Sequence, residues 1–133
     1  MSTPVNEVWG SYAAVSGLNG QSIAANANAV SAAVSLSGAL GVEFSLDINF
    51  GATASAPTVY ILRNGDDTNF EAIGVGAPFS FSANATPSTN HVFTVFTLTA
   101  DDADQVKIGV ANPSGNSSIT VTLRVKTVQG AIG

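Results

Sequence analysis

The stretch Val42-Glu-Phe-Ser-Leu-Asp-Ile-Asn-Phe50 alternates without a break. Val42, Phe44, Leu46, Ile48 and Phe50 fall in one phase, and Glu43, Ser45, Asp47 and Asn49 in the other. A period of two with one wholly apolar phase marks a β-strand that faces core on one side and water on the other. The stretch therefore predicts an antiparallel sheet with one covered face.

On its C-terminal side, the Gly, Ala, Ser, Thr and Pro run from Gly51 to Pro57 reads as a loop. Thr58-Val-Tyr-Ile-Leu-Arg63 and Phe70-Glu-Ala-Ile-Gly-Val75 then flank Asn64-Gly-Asp-Asp-Thr-Asn69, which predicts a hairpin, because Asn, Gly and Asp tolerate positive φ or bond their own backbone. Further strands are expected over 78–82, 91–99, 106–110 and 119–128, separated by turns over 84–90, 101–104 and 112–118. On the N-terminal side, Ser22 to Ala25 and Val30 to Leu36 read as short strands, the second with Val30, Ala32, Val34 and Leu36 in phase. The alanines also suit a helix, but Asn26, Asn28 and the serines are poor interior helix residues. Residues 1–21 show no period and are expected to form an arm or irregular segment. About eight strands without a helix predict an all-β chain: one antiparallel β-sandwich or jelly roll over 22–133.

One strand departs from the pattern. In His91-Val-Phe-Thr-Val-Phe-Thr-Leu98, Val92, Phe96 and Leu98 lie in one phase and Phe93 and Val95 in the other. A strand apolar in both phases calls for cover on both faces, so its second face is expected under the N-terminal segment or another subunit.

Charged residues make up 10% of the 133 residues, against about 25% in an average soluble domain. From Val8 to Val42 there is none, and all four bases, Arg63, Lys107, Arg124 and Lys126, lie in the second half. A net charge of −5 has the wrong sign for a phosphate backbone, so nucleic acid is not an expected partner. Polar residues interrupt every apolar run too often for a membrane span, and Met1-Ser-Thr-Pro4 lacks the basic start of a secretory signal. The expected setting is a cytoplasm, or an assembly built there.

Candidate chemistry is sparse. There is no cysteine, hence neither disulfide nor thiolate site, and the single histidine, His91, reads as a structural or surface residue at a strand start. No serine sits in a Gly-x-Ser-x-Gly elbow, so no catalytic residue, metal or cofactor is assigned. Asp66-Asp67 and Asp101-Asp102-Asp104 lack the spacing of a calcium loop and read as solvated turns. Asn84-Ala-Thr86 and Asn116-Ser-Ser118 match glycosylation sequons by composition alone. Trp9 and Tyr12 suit an interface anchor, a sugar platform or a plug at the end of the sandwich, and with Phe93 and Val95 they form the candidate interface.

The runs Thr58 to Val75, TVYILRNGDDTNFEAIGV, and Ile108 to Val128, IGVANPSGNSSITVTLRVKTV, in a short charge-poor chain, resemble small β-sandwich structural proteins of tailed bacteriophage virions. Head decoration (cement) proteins and small tail or adaptor components are of this kind. The resemblance spans roughly residues 42 to 128, rests on length and turn pattern, and carries over no functional residues. It implies a non-enzymatic virion protein, made in a host cytoplasm, with further copies of itself or a major capsid or tail protein as partner. A carbohydrate- or receptor-binding sandwich, with Trp9, Tyr12 or Tyr60 grouped on one face, is one alternative, and an extracellular adhesion or pilus-like subunit, which needs an export route the sequence does not show, is another.

Overall fold

A computed structural model describes residues 5–36, 38–52, 54–65, 68–76, 78–86, 89–99 and 105–132. They form ten strands in two antiparallel sheets, with no helix among the described residues. The expected β-sandwich is what forms.

The front sheet contains β1 (Val5–Trp9), β2 (Ala13–Ile23), β5 (Gly41–Phe50), β8 (Val92–Thr99) and β10 (Ile119–Ile132). Its order is β1-β10-β5-β8, with β2 also on β10. β10 is long enough to hold two strands end to end on one side: β2 along Ile119 to Val125 and β1 along Val128 to Ile132. The back sheet contains β3 (Asn28–Val30), β4 (Val34–Ser35), β6 (Thr58–Arg63), β7 (Phe79–Ser82) and β9 (Gln105–Ala111), in the order β3-β9-β6-β7. There β3 and β4 share β9 in the same end-to-end manner.

The core follows from alternation. Val42, Phe44, Leu46, Ile48 and Phe50 are all buried, and they face Val121 and Leu123 of β10 and Val59, Val106, Ile108 and Val110 of the back sheet. Each such side chain contributes about 1.5–3 kcal/mol over leaving it exposed. Phe96 joins the layers, stacked on Phe44 at 5.2 Å and edge-on to Phe81 at 5.0 Å.

The structure corrects four expectations. β1 and β2 occupy Val5–Trp9 and Ala13–Ile23, with Val15 and Leu18 in the core, where an arm or irregular segment was expected over 1–21. At Gly17 the backbone takes φ +87° and passes β3 so closely that a β-carbon would stand 2.8 Å from the Val30 carbonyl oxygen, a position open only to glycine. The 30–36 strand breaks because Ser31, not Val30, turns inward. Its Oγ accepts the Ile108 amide at 2.9 Å, and its amide donates to the Ile108 carbonyl at 2.8 Å.

No 58–63/70–75 hairpin forms, since β6 pairs with β7 and β9. The segment 70–75 folds back over the back sheet with only isolated bridges, Asn64 to Phe70 and Ala72 to Val75. Finally, of the two covers expected for the second face of β8, the N-terminal segment is not the one. β8 pairs with β5 on one side and forms the front sheet's edge, while the N-terminal strands lie on the far side of β10. Phe93 and Val95 are 51% and 54% exposed, so the N-terminal segment does not cover them.

Candidate interface on the front sheet

The outer face of the front sheet carries the polar phase of β5, and its register sets the layout. Glu43 lies between Lys126 of β10 and Thr97 of β8, Ser45 between Arg124 and Val95, and Asp47 between Thr122 and Phe93. Oppositely charged residues therefore meet across β5 and β10. Lys126 Nζ is 3.1 Å from Glu43 Oε2, and Arg124 is 3.6 Å from Asp47 Oδ2. His91 Nδ1 adds a second partner for Asp47, at 2.9 Å, with its ring stacked on Phe93. Under these side chains Ser45 and Asp47 are buried, so the polar phase of β5 is half covered rather than open to water as expected.

Tyr12, in the turn between β1 and β2, donates its phenol hydrogen to Glu43 Oε2. Burial, this hydrogen bond and the charge of Glu43 push the phenol up to about 12, while the bonds from Tyr12 and Lys126 hold the Glu43 carboxyl below its ordinary value. The Lys126 ammonium also stands 4.6 Å from the centre of the Tyr12 ring and 5.1 Å from that of Trp9. Trp9 in turn pairs with Val128 across β1 and β10.

All four candidate interface residues thus reach one sheet face: Trp9 (44% exposed) and Tyr12 (38%) at one side, Phe93 and Val95 at the other. Between them the charges of Glu43, Asp47, Arg124 and Lys126 are already paired. At the Gly41 end of this face, Trp9, Leu40, Thr97 and Val128 line a groove of about 230 Å³.

Of the three aromatic residues of the sugar-platform alternative, Trp9 and Tyr12 share this face beside the Lys126 ammonium, and Tyr60 lies on β6 in the other sheet.

A second concavity, which the sequence did not signal, lies where 68–73 folds over the back sheet. Asn28, Leu62, Asn69, Phe70, Ile73 and Lys107 are among the residues lining this open cleft of about 550 Å³. Its wall is fixed by Glu71, whose Oε1 accepts both the Arg63 amide and Nε at 2.9 Å. The bond from Arg63 holds the Glu71 carboxyl below its ordinary value.

Among the described residues no group of His, Asp or Glu is arranged to hold a metal. Asp66-Asp67 and Asp101-Asp102-Asp104 lie outside the described residues. Neither sequon asparagine has an idle amide. Asn84 Nδ2 donates to the Phe93 carbonyl at 2.8 Å, and Asn116 is buried and bonded to Ser55 and Asn112.

No family model and no curated protein matches the sequence. Among solved structures, the chain is similar to the SPBc2 prophage-derived protein YomS, at 12% identity over 97% of this chain and 98% of that one, with a TM-score of 0.46. It is also similar to a chain of the Bacillus endospore appendages, described as disulfide-linked pili, at 9% identity over 95% and 91% of the two chains, with a TM-score of 0.42. At these values neither likeness fixes a shared topology or carries a residue across.

Proposed function

We propose that this chain is a non-enzymatic structural protein of a virion, decorating or cementing a capsid lattice through the outer face of its front sheet. The observation that carries the reading is the composition of that face. Trp9, Tyr12, Phe93 and Val95 stand exposed around charges that already have partners within the chain. Unpaired charges make a surface costly to bury, whereas these pairs enter an interface with much of their desolvation offset. Exposed Trp, Tyr and Phe are residue types enriched at protein interfaces relative to the rest of the surface. A tail or adaptor position would use the same face against a different partner.

The test is co-sedimentation with particles that lack the protein. Trp9→Ser and Phe93→Ser should each weaken binding about tenfold or more while the melting temperature barely moves. Binding unchanged by both substitutions would remove the front face from the reading. The alternative, a glycan- or receptor-binding module, draws on the cleft beside Asn28, Asn69 and Phe70. A glycan array on which the chain finds no ligand would count against it.

A further inference from the structure

We propose that a second copy of this chain pairs with β8, antiparallel and in one register, joining the two five-stranded front sheets edge to edge. The inference rests on the assembly reading above and names its contact.

The backbone of β8 is directed by two bonds. Asn84 Nδ2 reaches the Phe93 carbonyl from the side away from β5, and the Phe50 amide donates on the β8 side to the Thr89 carbonyl at 3.0 Å. With β5 and β8 in unbroken register from Gly41–Thr99 to Ile48–Val92, the even residues of β8 bond β5 and the odd ones direct their N–H and C=O away from it. Phe93 has its carbonyl capped by Asn84. At Val95 and Thr97 both peptide groups face out, both side chains are exposed, and no strand stands opposite among the described residues. Backbone groups so directed are a template for another strand.

This edge carries none of the usual guards. Val92 to Thr99 contains no charged residue, proline or glycine, and its pairing shows no bulge. The other edges are interrupted. β7 is four residues long, with Arg63 lying 4.4 Å over the Phe79 ring. The β1/β2 row holds two positive-φ glycines, Gly17 and Gly20, and shifts register twice against β10.

Symmetry selects the occupant. Each chain carries a net charge of −5, and β8 is a long uncharged edge on which two copies can meet without like charges opposed. Antiparallel self-pairing about a two-fold axis at Phe96 sets Val95 opposite Thr97 of the second copy, and Thr97 opposite its Val95. Outward peptide groups then meet outward peptide groups, and the pairing stops short of the Asn84 cap. On the front face the same register sets two β-branched side chains beside each other, a favourable cross-strand pair.

Thr97→Pro tests this cleanly, because it deletes an outward N–H and leaves the β5 ladder intact. Sedimentation velocity from low to several hundred micromolar should show the wild type passing to dimer, and Thr97→Pro associating about 30-fold more weakly, the loss of two inter-strand bonds of ordinary net strength. Hydrogen exchange at the Val95 amide should slow as the wild-type concentration rises. Should the proline variant fail to fold, Val95→Lys places a guard on the same edge and should give the same loss of association. Dimers that survive both substitutions would overturn this contact and leave the assembly reading standing. A wild type that stays monomeric at every concentration, with Val95 exchange independent of concentration, overturns it as well. Failure to bind particles in addition would end the broader reading too.

Discussion

Replacing Asn116 by alanine should cost the fold about 2–4 kcal/mol, although the residue sits in a turn. Asn116 Nδ2 donates to the Ser55 carbonyl and to Asn112 Oδ1, each at 2.9 Å, and its Oδ1 accepts the Ser55 amide at 2.7 Å. Asn112 passes the connection on, donating to the Ile23 and Ser117 carbonyls at 3.1 and 3.0 Å. Two side-chain amides therefore tie together β2, the loop after β5 and the β9–β10 turn. Three lost bonds at about 1 kcal/mol each set the centre of the range. Ser55 is exposed and water can replace its partner, which lowers the cost; Asn112 is buried and is left without a donor, which raises it. For a domain of this size the loss corresponds to a melting temperature lower by roughly 7–15 °C. Thermal unfolding followed by circular dichroism measures it, with Ser114→Ala, an exposed position in the same turn, as the control. An Asn116→Ala protein melting within about 2 °C of the wild type would refute the claim that these amides hold the loops.

Two more predictions probe the front face and the seat of the cleft. The Tyr12 phenol is raised from its ordinary 10.0 to about 12 in the folded chain, so its stabilisation is complete below pH 10 and drains away as pH climbs toward 12. The wild type should therefore lose stability over that range more steeply than Tyr12→Phe, and parallel melting curves would contradict it. A β-carbon at Gly109 would lie 2.7 Å from Ile73 Cδ1 and 3.3 Å from Cγ1. Gly109→Ala should cost about 1 kcal/mol, with the cost largely suppressed in an Ile73→Val background that lacks Cδ1. Simply additive costs in urea unfolding would mean that Ile73 does not rest on Gly109.

β5 could be read from sequence because core and outer face differ at every step from Val42 to Phe50. β2 could not, because Gly17 and Gly20 take positive φ and the strand shifts register, so Val15 and Leu18 are buried three residues apart instead of two. In 30–36 a serine hydroxyl replaced an apolar contact, which no apolar count detects. In 70–75 the apolar residues that mimic a strand are used by Ile73 against Gly109 and follow the hold of Glu71 on Arg63. The two-sided pattern of β8 was real, yet composition cannot separate a covered central strand from an edge with an exposed apolar face. The four interface candidates come from two segments far apart in the chain; that they share a sheet face depends on β10 lying between β1 and β5, which no local pattern encodes.

That placement of β10 also governs the order in which the fold can arise. Among the described residues β1 and β2 share a sheet through β10 alone, and β5 pairs with β8 on its second side, so the front sheet stays in separate pieces until residues 119–132 are available. During synthesis, a nascent chain that has exposed β1 to β9 still lacks the strand that lies between its first and fifth. Closing the loop from β1 to β10 spans nearly the whole described chain, which places this fold among slow, non-local folders. The outer face, with Trp9 on one side of β10 and Phe93 beyond β5, is therefore complete only once β10 has paired with both β1 and β5.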